Sequence, residues 1–114
     1  MDIKTFKNKL KIAPKTIAFS ETMDVIYANY EFTPKAFTNG PLENAEGQNS
    51  GSCKLFAFAK VEGLSKAETL TCFGAFYFDE VLKDPEGDGH KNIRNFMKTG
   101  FEGLVFEGFP LTKK

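Results

Sequence analysis

The chain has 114 residues, 41% of them hydrophobic and 26% charged, a composition typical of one globular domain rather than a disordered tail. Fifteen basic and fifteen acidic residues cancel, so neither nucleic acid nor an anionic membrane is an expected partner. No apolar run approaches the roughly 20 residues that span a bilayer, and the N-terminus lacks the hydrophobic region of a signal peptide. Two cysteines, Cys53 and Cys72, are too few for a disulfide framework and indicate reduced thiols of a cytosolic protein.

The first third of the chain predicts two helices. Residues 2–12 form an amphipathic pattern, and Pro14 ends that helix. Ser20 is the predicted N-cap of the second helix. The apolar stripe of the second helix is Met23, Ile26, Tyr27 and Tyr30.

The middle of the chain is polar and then apolar. Residues 32–37 predict an extended segment, and residues 39–52, rich in glycine and asparagine, predict a long polar loop. Loops of this length are usually functional or disordered. Residues 52–61 suit either a helix or a strand, and we favour a helix.

The last half predicts two more helices and a short strand. Ser65 and Glu68 form a capping box that opens a helix ending near Leu82, in which Gly74 permits a neighbour to pack closely. After a turn at 84–89, a helix begins at Asp88 or His90, holds Ile93, Phe96 and Met97, and ends at Gly100. Residues 104–106 predict a strand that pairs with the extended segment at 32–37.

These elements predict a helix-dominated α+β fold, with about five helices and a small two-stranded sheet in one domain over residues 1–114. Thirteen phenylalanines and no tryptophan indicate a phenylalanine-rich core. Three of these phenylalanines, in the glycine-rich tail, are predicted to stay outside, where they would suit a protein partner or a weak homodimer as an alternative to a monomer: Phe101, Phe106 and Phe109.

Four segments of the chain read YEFTPKAFTNG, NAEGQNSGSCKLFAFA, LSKAETLTCFGAFYFDEVL and HKNIRNFMKTGFEGLVFEG. Together they resemble the HopJ family, which is named after a type III secretion effector of plant-pathogenic bacteria, and the similarity extends from about Phe19 to Leu111. The resemblance implies a protein of the bacterial cytoplasm that type III secretion exports and that binds a protein partner or a small polar ligand. The alternative is a housekeeping protein, because the first 19 residues contain Asp2 and five lysines but no serine, unlike a type III export signal.

A thiol nucleophile is the sharpest chemical hypothesis. The segment around Cys53 is locally similar to the Gly-Ser-Cys-Trp-Ala-Phe signature of papain-like proteases, whose cysteine heads a buried helix. If a helix starts at Ser52, its N-terminus favours a Cys53 thiolate, Gln48 is placed to stabilise an oxyanion, and His90, the one histidine, is the candidate base. The groups that could orient His90 are Asp88, Asn92 and Asn95. The alternative is a structural cysteine, the usual fate of a buried thiol.

A pocket for a small polar ligand is the other hypothesis. If the polar loop folds over the start of the helix near His90, amides and hydroxyls from both would converge without a net charge. The candidate ligand-binding residues are Asn39, Asn44, Asn49, Ser52, Lys54, Asn92, Arg94 and Asn95, together with Gln48. The alternative is that the asparagines satisfy turn backbone.

Calcium is the weakest of the chemical possibilities. Residues 84–89 imitate the first half of an EF-hand loop, but Asn95 stands where the bidentate glutamate belongs. We therefore interpret this segment as a solvated turn and predict neither a metal nor a cofactor.

Overall fold

The computed structural model describes residues 2–114 of the chain. The helices are α1 (Ile3–Ile12), α2 (Phe19–Asn29), α3 (Ser50–Glu62), α4 (Lys66–Thr71) and α5 (Lys91–Thr99), with a π-helical turn at Phe76–Val81 and 3-10 turns at Pro14–Thr16 and Gly100–Gly103. The strands are β1 (Tyr30–Phe32), β2 (Phe37–Asn39), β3 (Leu42–Asn44), β4 (Leu104–Phe106) and β5 (Leu111–Lys113). The predicted helix-dominated α+β class is confirmed.

The strands form two small antiparallel sheets. One pairs β1 with β5, and the other has the order β3-β2-β4. Phe37 lies opposite Phe106 across the β2–β4 pair, so the predicted pairing of residues 104–106 with the extended segment is confirmed at its C-terminal end. The sequence predicted one two-stranded sheet. The structure has a two-stranded and a three-stranded sheet, because both ends of the extended segment find partners.

Helix α3 is the centre of the core. Its five consecutive residues from Leu55 to Ala59 are all fully buried, which means that the helix is covered on every side. The ring of Phe56 contacts those of Phe73 and Phe96, with centroids 5.5 and 4.8 Å apart. Within residues 2–114, neither this helix nor any other is long and apolar enough to cross a membrane.

Two local expectations about element boundaries were wrong. The polar segment 39–52 is a loop only in part, because Gly40, at φ 61°, turns β2 back into β3 and α3 begins at Ser50. Helix α2 is capped by Ala18 rather than Ser20, and the Glu21 carboxylate accepts a hydrogen bond from the Ala18 N–H at 3.2 Å. The buried face of α2 is consequently Thr22, Val25 and Ile26, and Tyr27 is exposed.

Gly74 interrupts the helix that was expected to reach Leu82. Helix α4 ends at Thr71, and Gly74 has a φ of 60°, a conformation that side chains disfavour. A Cβ at this position would lie 2.8 Å from the Ile17 carbonyl oxygen. The predicted close packing at Gly74 is therefore present, but the chain leaves the α-helix there and continues as the π-helical turn.

Gly74 and Gly63 offer a matched test of this contact. Both have positive φ, 60° and 71°, but a Cβ at Gly63 meets nothing within 4 Å. We expect Gly63→Ala to lower the free energy of unfolding by about 1 kcal/mol from backbone strain alone, and Gly74→Ala by about 3 kcal/mol because the clash adds to the strain. Urea denaturation of both variants measures the difference, and equal losses would contradict the close approach.

Candidate ligand-binding site

A pocket of about 730 Å³ lies where the starts of α3 and α5 meet the β3 strand and the π-helical turn. We call it the amide pocket. Seven of the residues proposed from the sequence line it: Asn44, Gln48, Asn49, Ser52, Asp88, His90 and Asn92. The structure thus brings the polar loop and the start of the last helix to one cavity.

The two helices that open on the amide pocket begin in the same way. Asn49 and His90, at φ 53° and 57°, are the non-glycine residues with positive φ among residues 2–114, and each is the N-cap of its helix. Asparagine and histidine tolerate this conformation better than most residues. No side chain caps either helix, so the first N–H groups of α3 and α5 are donors without an intrahelical partner.

A network of buried amides joins the hairpin formed by β2 and β3 to α5. The side chains of Asn44 and Asn92 exchange two hydrogen bonds, of 3.0 and 3.2 Å. Asn39, which is fully buried, donates to the Asn92 carbonyl oxygen at 2.8 Å. Asn49 donates to Asn44 Oδ1 at 2.7 Å. The network fixes the starts of α3 and α5 relative to each other.

His90 is held by the π-helical turn. Its Nε2 lies 2.9 Å from Glu80 Oε1, and its ring packs on Phe76 with centroids 5.2 Å apart. The observed partner of the His90 ring is thus Glu80, and not Asp88, Asn92 or Asn95, the groups proposed from the sequence. Glu80 could not be found from the sequence, because a continuous α-helix was predicted where the π-helical turn changes which side chains face His90.

Cys53 lies under the pocket rather than in it. Its side chain is 1% exposed, its Sγ lies 3.8 Å from the Lys35 carbonyl oxygen, and burial raises the pKa of the thiol. Helix α3 begins at Ser50 rather than Ser52, so the Cys53 N–H donates to the Asn49 carbonyl oxygen at 3.0 Å and is not one of the unpaired donors at the helix start. Burial also raises the pKa of Cys72, to about 12.

Three other proposed ligand residues make structural contacts elsewhere: Lys54, Asn95 and Arg94. Lys54 Nζ lies 4.8 Å from the ring centroids of both Tyr27 and Phe32. Asn95 donates to the Lys91 carbonyl oxygen at 3.1 Å.

Arg94 closes the turn at 84–89. Its Nη1 donates to the Asp84 carbonyl oxygen at 2.8 Å and its Nε to that of Gly89 at 2.5 Å. The turn is therefore held by the Arg94 guanidinium. In the part of the chain that the structure describes, no group of three histidine, cysteine or acidic side chains is placed to hold a metal ion.

The sequence did not reveal the aromatic wall of the amide pocket. Phe19, Phe73 and Phe76 line it, and the ring of Phe19 contacts the other two, with centroids 6.1 and 5.3 Å apart. The wall depends on the break at Gly74, which turns Phe76 toward the pocket, and no local pattern predicts that break.

The architecture and the pocket define a small α+β protein with an amide-lined cavity, and comparison with known proteins gives its family. The profile described as "HopJ type III effector protein" matches residues 3–111, so the chain belongs to the HopJ family. A crystal structure described as that of the unknown function protein VPA0580 is similar over 100% of this chain and 95% of its own, with 51% identity and a TM-score of 0.97. A comparison with curated proteins finds no match.

The thiols provide a direct test of the structural role of Cys53. We expect both thiols to react with Ellman's reagent at least about 100-fold more slowly in the folded protein at pH 8 than in urea, because they are buried and the raised pKa lowers the thiolate fraction. A Cys72→Ala variant assigns the signal to Cys53. Fast labelling of Cys53 in the folded protein would restore the nucleophile hypothesis.

Proposed function

We propose that this HopJ-family protein binds a small polar ligand in the amide pocket. The observation that supports the proposal most is the convergence of nine polar or charged side chains and two helix starts on one cavity of about 730 Å³. This volume lies within the roughly 300–1,000 Å³ typical of small-molecule sites. A thiol mechanism has no such support, since the Cys53 side chain is buried.

Several open polar groups of the pocket are hydrogen-bond donors. The Gln48 carbonyl oxygen already accepts from the Ala45 N–H at 3.0 Å, which leaves the side-chain amino group for a ligand. The Ser52 hydroxyl and the first N–H groups of α3 add further donors. The ligand that complements this set has oxygen acceptors, as in a carbonyl or carboxylate group.

The charges of the pocket favour a ligand of low charge. Lys91 shares the lining with two carboxylates, those of Glu43 and Asp88. Opposite charges in one lining largely cancel the field that would attract a polyanion. Recognition by hydrogen bonds is what remains, and it suits a neutral or singly charged molecule.

N-acetylglycine, which has an amide and a carboxylate, is a suitable first probe. We expect it to shift the backbone amide NMR signals of Gln48, Asn49 and Ser52 on titration. Gln48→Ala removes one donor and should weaken binding about fivefold, the equivalent of one net hydrogen bond. Asn49→Gly keeps the left-handed backbone. It should weaken binding less, because the Asn49 amino group already donates to Asn44 and is not free for the ligand.

Asn95→Ala is the matched control for these variants. Asn95 is on α5 but its amide donates to the Lys91 carbonyl oxygen, so binding should be unchanged. Equal weakening by all three substitutions would indicate a general loss of structure, and an absence of shifts with any oxygen-bearing probe would contradict the proposal.

Export by type III secretion is a second candidate property, which the family description supports. Phe6 and Leu10 of α1 are buried in the core, so export of the N-terminal segment would require this helix to leave it. We expect a full-length fusion to a C-terminal reporter to leave a bacterium with a working type III apparatus and to stay inside an isogenic strain without one. Equal reporter levels outside both strains would contradict export by this route.

A further inference from the structure

A second, smaller cleft adjoins the amide pocket. It has a volume of about 180 Å³ and is lined by Ala18, Phe19, Ser20, Phe73, Ala75 and Phe76. We call it the phenylalanine cleft. Phe19, Phe73 and Phe76 line both cavities, so the two share one aromatic wall.

The two cavities differ in chemistry. The amide pocket has amides, hydroxyls and charged groups among its lining residues, whereas Ser20 is the one residue with a polar side chain at the phenylalanine cleft. A cavity of about 150 Å³ lined by apolar side chains accepts a benzene molecule. The phenylalanine cleft is therefore large enough for a benzene-sized apolar group and offers a polar group almost no partners.

The shared wall is accessible. Phe76 is 38% exposed, and Phe19 is only partly buried. A ligand that spans the two cavities would lie across these two rings, whose edge-to-face contact at 5.3 Å leaves their outer surfaces for a third apolar group.

We propose that the ligand of the amide pocket is a small amphiphile, with an oxygen-bearing head in the amide pocket and a benzene-sized apolar group in the phenylalanine cleft. This inference depends on the proposed ligand-binding function and names the chemical class of the ligand.

The experiment compares two probes that differ only in the apolar group. N-acetyl-L-phenylalanine has the head of N-acetylglycine and adds a benzyl side chain. Burial of a phenyl ring should make the first bind about tenfold or more tightly than the second in calorimetric or NMR titrations. The two probes thereby separate the contribution of the phenylalanine cleft from that of the amide pocket.

Ala75→Leu tests where the benzyl group binds. Ala75 is exposed and lines the phenylalanine cleft but not the amide pocket. The larger side chain should remove most of the tenfold preference for N-acetyl-L-phenylalanine and leave the affinity for N-acetylglycine unchanged. Ala67→Leu, at an exposed position of α4 away from both cavities, is the matched control and should leave the preference intact, and thermal unfolding checks that both variants fold.

The outcomes separate this inference from the proposed function. Equal affinities for the two probes in the wild-type protein, or a preference that survives Ala75→Leu, would overturn the amphiphile but leave the amide pocket as a polar site. Binding of neither probe would overturn both. A preference that is lost in Ala75→Leu and kept in Ala67→Leu supports the amphiphile.

Discussion

The burial of α3 on all sides is the constraint on which the rest of the structure depends. Because the helix is covered from Leu55 to Ala59, every other element has to pack around it, and the ends of α3 are the places where polar groups can reach solvent. The C-terminal end closes at Gly63 with a φ of 71°. The N-terminal end, preceded by Asn49, opens on the amide pocket. The location of the candidate site therefore follows from the packing of the core.

The asparagine network allows a polar site to border such an apolar core. A buried amide without partners costs free energy on the order of 1–3 kcal/mol, and here Asn39, Asn44 and Asn92 are all at most 7% exposed. The Asn44–Asn92 pair satisfies donors and acceptors on both sides at once. The result is a rigid floor for the pocket, since the β2–β3 hairpin and the start of α5 cannot separate without breaking these bonds.

The sequence predicted correctly those features that local interactions determine. The capping box at Ser65 and Glu68 is present, with bonds of 2.9 and 3.1 Å, and α3 lies where the apolar run indicated. The β2–β3 hairpin was missed because its polar residues resemble a loop, and Asn92, the partner of its two buried asparagines, is distant in sequence. The pairing of His90 with Glu80 was missed for a similar reason, because it depends on a π-helical turn that follows the contact between Gly74 and Ile17. Tertiary contacts outweighed local preference in each case.

In the Gly-Ser-Cys segment, neighbouring residues of one helical turn have different roles. Successive residues of an α-helix point about 100° apart, so neighbours face different surroundings. Ser52 lines the amide pocket, whereas Cys53 faces the Lys35 carbonyl oxygen in the interior. The thiol near the helix start suggested a nucleophile, but Cys53 packs in the interior. The polar groups that line the pocket are on the residues before it. A cysteine at this position contributes an apolar surface and a weak hydrogen bond that tie α3 to the segment between β1 and β2, which stabilises the helix whose open end forms the site.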